Sequence, residues 1–115
     1  MPRTSVTTQQ VTRAGLNPSL PAPTASGDVV DCGQLALWVI NGSGASITVT
    51  VQATAQVDGL DVADLVVPVL AAGQRLIGPF PARTFGQPSG SADAGRAYVD
   101  YSAVASITRG VISIP

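Results

Sequence analysis

Between positions 47 and 54 the chain alternates without a break. Ile47, Val49, Val51 and Ala53 occupy one parity, and Thr48, Thr50, Gln52 and Thr54 the other. Successive side chains of a strand point to opposite faces of a sheet, so this period predicts a β-strand with one face in a core and one in water. Just upstream, Leu35, Ala36, Leu37, Trp38, Val39 and Ile40 form an apolar run of strand length. Asn41-Gly42-Ser43-Gly44 between the two segments is a turn signal. Together they read as a hairpin.

The rest of the chain after Asp28 uses the same vocabulary. Asp58-Gly59 marks a turn, and residues 65–70 read as a strand in which Pro68, lacking an N–H, points to an edge position or a bulge. Ala71-Ala72-Gly73 turns the chain into a strand over 74–77, which Gly78-Pro79-Phe80-Pro81 ends. Residues 83–95 form a long loop rich in Gly, Ser and Ala. Residues 96–102 alternate again, with Ala97, Val99 and Tyr101 opposite Tyr98 and Asp100, and 107–114 form a closing strand. This spacing predicts an all-β chain: a single antiparallel β-sandwich, immunoglobulin-like or jelly-roll-like, of about seven or eight strands. Helix is expected to be close to nil. The expected core is Trp38, Ile47, Val49, Val51, Val69, Ile77, Val99 and Tyr101.

Composition narrows the function classes. The 115 residues include no histidine, lysine or glutamate. Lysine and glutamate are strong helix formers, and all three types are common acids, bases, nucleophiles and ligands. A Ser, Thr or Cys nucleophile would have only an Asp or the amino terminus as its base, and Asp93 and Asp100 fall in different elements. The expectation is therefore no enzyme. The six arginines are scattered and net charge is −1, so no basic face for nucleic acid is expected. The lone Cys32 has no internal disulfide partner and reads as a half-buried apolar residue at a strand start. The first ten residues lack a secretion-type apolar core, and no apolar run nears the roughly 20 residues that span a bilayer. No membrane partner is expected. Asp58, Asp61 and Asp64 could offer oxygens to Ca²⁺, but their spacing fails the helix–loop–helix pattern, and Asx-turns account for them. No cofactor or metal is expected.

Residues 1–27 differ in composition from the rest of the chain. Threonine, serine and glutamine dominate at first; Pro18, Pro21 and Pro23 then forbid helix and favour extended backbone. The segment reads as an extended N-terminal arm, residues 1–27, ahead of a β-sandwich domain, residues 28–115. Such a segment is either a disordered tail or linker or an arm, removable without unfolding the domain, that docks along neighbouring subunits or a larger surface. Its candidate contacts are Arg3, Val6, Val11, Arg13, Leu16 and Leu20. Phe80 and Phe85 are further candidates, either as interface anchors or as a plug over an open end of the sandwich.

Over residues 28–115 the chain resembles a known family. An apolar strand followed by NGSGASITVTV, then DG, VAD, VPVLAAGQRLIGPFP, Phe85 and the strand Val99-Asp100-Tyr101-Ser102, is similar to capsid decoration or head auxiliary proteins of tailed bacteriophages. The resemblance implies a β-sandwich on the outside of an icosahedral head, made in the host cytoplasm. It implies that the chain binds the major capsid protein and cements neighbouring capsomers, as a homo-oligomer, usually a trimer. Two other classes stay open: a head–tail connector or tail component, and a carbohydrate-binding or adhesin sandwich.

Overall fold

A computed structural model describes residues 3–114; positions 1, 2 and 115, which the expected arm and sandwich boundaries include, lie outside them. Runs of Val, Ile and Thr become strands because branched side chains pack well on a pleated surface. In chain order these are β1 (Thr4–Ser5), β2 (Thr8–Gln10), β3 (Asp28–Asp31), β4 (Leu35–Asn41), β5 (Ile47–Val51), β6 (Gln56–Val57), β7 (Leu60–Asp61), β8 (Leu65–Val69), β9 (Gln74–Ile77), β10 (Arg96–Tyr101) and β11 (Ile107–Ser113). One helical turn, α1 (Ala82–Phe85), interrupts them in the segment expected to be loop. The fold is all-β and sandwich-like. A five-stranded sheet, ordered β1-β3-β10-β5-β8, faces a four-stranded sheet, ordered β2-β11-β4-β9, and β6 pairs with β7 alone.

The connections weave the two sheets together. The chain changes sheet between β3 and β4, β4 and β5, β8 and β9, β9 and β10, and β10 and β11. The hairpin expected from 35–54 is therefore not formed: β4 pairs with β11 and β9, while β5 pairs with β10 and β8. Asn41 explains the crossing. It is fully buried, and its amide donates to the Ala45, Val69 and Leu70 carbonyls at 2.8, 3.1 and 3.3 Å while its oxygen accepts from the Ser43 N–H and hydroxyl. A side chain so fully satisfied fixes the corner where a two-residue hairpin turn would have fixed a ladder. Pro68 lies opposite Thr48 on β8, which is an edge strand as expected.

Between the sheets lie Val30, Leu37, Val39, Ile47, Val49, Val51, Val69, Ile77, Phe80, Ala97, Val99, Ile107 and Val111. Tyr101 packs against this cluster half-buried. Trp38 is not in the core as expected: Leu37 and Val39 point inward, so the intervening Trp38 lies on the outer face of the four-stranded sheet. Both parities of that run are apolar, so alternation alone assigns no face.

The N-terminal segment is extended, but it belongs to the sandwich. β1 pairs parallel with β3 at one sheet edge, and β2 pairs parallel with β11 at the edge of the other. The sheets are consequently mixed rather than purely antiparallel. One continuous strand path runs along the open side, and Val6, between β1 and β2, turns into the core at 7% exposure. Polar side chains stitch it down. Arg96 donates to Asp31 at 3.0 Å and to the Ser5 hydroxyl at 2.8 Å, and the Thr8 hydroxyl donates to Asp31 at 2.6 Å. The sandwich thus includes the N-terminal strands and is not confined to residues 28–115. Deleting residues 1–12 should lower the urea midpoint more than Val6→Ala does. Val6→Ala alone should remove about 1–3 kcal/mol through the cavity it leaves. An unchanged midpoint in the truncated chain would show that the segment is dispensable for the fold.

Candidate functional site: an apolar groove on the outer face of the four-stranded sheet

The site is built outward from a buried ion pair. Asp28 opens β3, and Arg109 occupies an inward position of β11; both are essentially without solvent exposure. Arg109 Nε and Nη2 donate to the Asp28 carboxylate at 2.6 and 2.9 Å, a bidentate fork across the two sheets, and the Tyr101 hydroxyl donates to the same carboxylate at 2.6 Å. Burial would by itself ease the proton off Arg109, but the Asp28 hydrogen bonds and charge more than offset it, so its pKa lies above the ordinary value. Burial, then the Asp28 charge, pushes the Tyr101 phenol far above the usual tyrosine range.

Arg109 also reaches the N-terminal segment. Its backbone N–H and its Nη1 donate to the Pro21 carbonyl at 3.0 and 3.2 Å. Next to Pro21, Leu20 lies directly over Gly110: a Cβ there would stand 2.6 Å from Leu20 Cδ2 and 3.0 Å from the Ser19 carbonyl, so glycine lets the segment cross closely without displacing the Leu20 side chain. The Gln9 amide completes the clamp, donating to the Ser19 carbonyl at 2.7 Å and accepting the Ser19 N–H at 2.8 Å, as a strand neighbour would. Residues 11–18 leave the sheet and return between these ties as a strap. It begins where the Val11 N–H donates to Ser113 at 2.8 Å and turns at Gly15, whose φ is +96°.

The strap forms one wall of a groove of about 780 Å³. Val11, Thr12, Gly15, Leu16 and Pro18 line that wall; Ala36 and Trp38 of β4, Leu76 of β9, and Ile112 and Ile114 form the floor; Gln34, Leu35, Gly78 and Pro79 close one end. Among the described residues, none that lines the groove is charged. The Trp38 indole N–H is already bonded to Gln74 Oε1 at 2.7 Å, which leaves its ring as apolar surface. Such a groove can bury uncharged, apolar groups; it carries no acid–base pair with which to transform them.

The candidate contact residues divide sharply. Val11 and Leu16 line the groove, exposed Arg13 sits on the strap beside it, and Leu20 ties the strap down. Val6 and Phe80 are core residues, hence not surface contacts, and Phe85, partly buried, packs edge-on to Phe80 with ring centroids 5.9 Å apart. Arg3 is held within the chain. It pairs with Asp100 at 2.8 Å, donates to the Val99 carbonyl and lies 4.5 Å from the centre of the Tyr98 ring. Burial raises the Asp100 pKa, but the hydrogen bonds from Arg3 and Gln52 outweigh it and leave it below the ordinary value. Of the three turn aspartates, Asp61 accepts from Gln56 and Asp64 from the Ala53 N–H. Sequence reasoning missed Trp38, Leu76, Ile112 and Ile114 as a surface, and missed the Asp28–Arg109 pair. The available signals were the doubly apolar run 35–40 and an arginine on the apolar parity of the closing strand.

No family model, no curated protein and no solved structure matches the chain.

The ion pair has two measurable consequences. Arg109→Met alone leaves Asp28 buried and unpaired and should cost about 3–5 kcal/mol. Adding Asp28→Val should recover a large part of that loss, as a double-mutant cycle in urea would show; additive losses would refute the coupling. The fold also holds Tyr101 as the neutral phenol, with its pKa raised above the unfolded value of about 10. This contribution is fully present below that pH and is lost as pH rises beyond it. Tyrosinate absorbance from Tyr101 should therefore appear together with alkaline unfolding, and Tyr101→Phe should flatten the alkaline limb of stability.

Proposed function

We propose that this chain is a non-enzymatic structural subunit of a multi-copy protein shell, a virion capsid decoration protein of the tailed-bacteriophage kind. In this reading it binds the outer surface of the head and stabilises contacts between neighbouring capsomers. The observation that carries the assembly part is the interior strand β4 of the four-stranded sheet, apolar on both faces from Leu35 to Ile40, with Leu76, Ile112 and Ile114 beside it on the outer side. A sheet with one face in water normally alternates, whereas continuous apolar strands belong to sheets covered on both sides. Here the strap covers part of the outer face, and Leu76 and Ile114 remain 66% and 77% exposed. A chain held among identical neighbours covers such a face by contact, and every contact made only in the assembled state stabilises that state by mass action. The head setting comes from the resemblance of residues 28–115 to decoration proteins. The sequence supports a structural rather than catalytic role, since it supplies no His, Lys or Glu.

The glycan-binding alternative fits less well. Sugar-binding faces stack rings, and Trp38 is the sole aromatic among the described residues lining the groove. Quantitative mass spectrometry of purified particles tests the proposal, with immunogold labelling on intact heads. Hundreds of copies on the head exterior are expected. A handful of copies at the neck or tail would transfer the chain to a connector or tail role.

A further inference from the structure

We infer that copies of this chain associate head to tail, the β6–β7 hairpin of one copy seating in the groove of the next. The inference rests on the assembly reading only in placing the chain among its own copies, and it names the contact between them. The hairpin is the first observation. Among the described residues its strands pair only with each other, and a two-stranded ribbon of this length is marginal alone. Val57 and Leu60 are cross-strand partners on one face, at 64% and 73% exposure, while Gln56 and Asp61 pair on the other. Asp58 and Gly59, at φ +52° and +80°, hold the tight turn between them. The hairpin is thus an amphipathic knob with its apolar side bare.

The groove is the complementary observation. Its lining is apolar and uncharged, and no hairpin residue contributes to it. The knob extends from the five-stranded sheet between β5 and β8, whereas the groove lies on the outer face of the four-stranded sheet. The two surfaces therefore meet between copies, in a heterologous contact that closes into a ring or runs on as a fibre.

Charge selects this occupant over an arbitrary apolar one. Among the described residues, Arg3, Arg96 and Arg109 are paired with Asp100, Asp31 and Asp28. The acids left without an ion-pair partner include Asp58, Asp61 and Asp64, all on or beside the knob. The arginines left over are Arg13, on the groove's strap; Arg75, whose place opposite inward-facing Val39 turns it away from the groove floor; and Arg83, on α1. An apolar knob carrying carboxylates fits an apolar groove with the exposed Arg13 guanidinium on its strap, and such rim charges set register and speed encounter.

Sedimentation velocity on the purified chain, from micromolar to millimolar concentration and without any shell, tests the contact. The wild type should form a closed ring or a growing series. Leu60→Asp, which keeps the groove, and Leu76→Asp, which keeps the knob, should each be monomeric. Mixed at equal concentration they should form a 1:1 dimer and nothing larger. Both positions are exposed, so circular dichroism and Tm should be unchanged; Val57→Asp and Ile114→Asp serve if either variant unfolds. Adding Arg13→Asp to the groove-bearing variant should weaken the mixed dimer several-fold at low salt, whereas Arg75→Asp should leave it unchanged. A wild type monomeric throughout, single variants that assemble like it, or a mixture that forms no dimer would overturn the inference. So would a monomeric wild type whose groove binds 1-anilinonaphthalene-8-sulfonate, which would assign the groove to a small apolar ligand. Particle occupancy of Leu60→Asp separates this contact from the shell role: decoration without self-association would leave the proposed function standing and the inference refuted.

Discussion

The Asp28–Arg109 pair is the constraint from which the rest of the structure can be traced. It joins the first strand after the N-terminal segment to the last strand of the chain, across the space between the sheets. A charge in such a place is costly unless fully bonded. Bidentate geometry, the Tyr101 hydroxyl and the Pro21 carbonyl meet that demand. Because Pro21 is one of the bonded groups, satisfying the core charge also sets where residues 19–21 must lie. From there Leu20 and the Gln9–Ser19 clamp place the strap, and the strap makes the groove wall. Core electrostatics and surface shape are thereby coupled through a single proline carbonyl.

The weave of the sheets gives that pair its reach. With nearly every connection passing from one sheet to the other, neither sheet can close while the other is absent. Contacts of this kind are non-local, so ordering is deferred until distant segments meet, and folding is expected to be slow for a chain of this size. The edges need protection meanwhile. The N-terminal strands cover the outer edges of β3 and β11, while Pro68 blunts β8 and the Arg75 guanidinium donates to the Gln74 carbonyl on β9 at 2.7 Å.

Much of the architecture was legible in the sequence wherever only one parity was apolar. The segment at 47–51 and the alternation around Val99 declared both strand and inward face, and those residues are core. Legibility failed where both parities were apolar, as at 35–40, because period then identifies a strand without orienting it. It failed again where pairing depended on distant residues. Asn41 was read as turn chemistry from its neighbours Gly42 and Ser43, but its partners Val69 and Leu70 lie far along the chain and turn the corner between sheets. The polar, proline-rich composition of the N-terminal segment reads as an arm apart from the domain, but Val6, at the crossing between two sheet edges, is enough to bring it into the core. For the site, Val11, Arg13 and Leu16 were legible as contacts because an apolar residue in a polar, proline-rich segment stands out. The floor was not, since it is the outward half of strands already assigned to a core.

The scarcity of charge acquires a sharper meaning once the pairs are located. With six arginines and seven aspartates, three of each are used inside the chain. The remaining charges are not spread evenly, as a surface tuned for solubility would have them. Three of the four remaining carboxylates gather around the β6–β7 hairpin, and the Arg13 guanidinium stands on the strap beside the groove. Lysine and glutamate, the residues that keep most small domains apart, are missing altogether. A surface with bare apolar faces and few mobile charges has little to oppose association, so selectivity must come from where the few charges stand. Carboxylates gathered on the knob disfavour knob against knob, where like charges would meet. The same omission that removes the usual catalytic groups thus leaves a chain whose remaining charges are suited to deciding which faces touch.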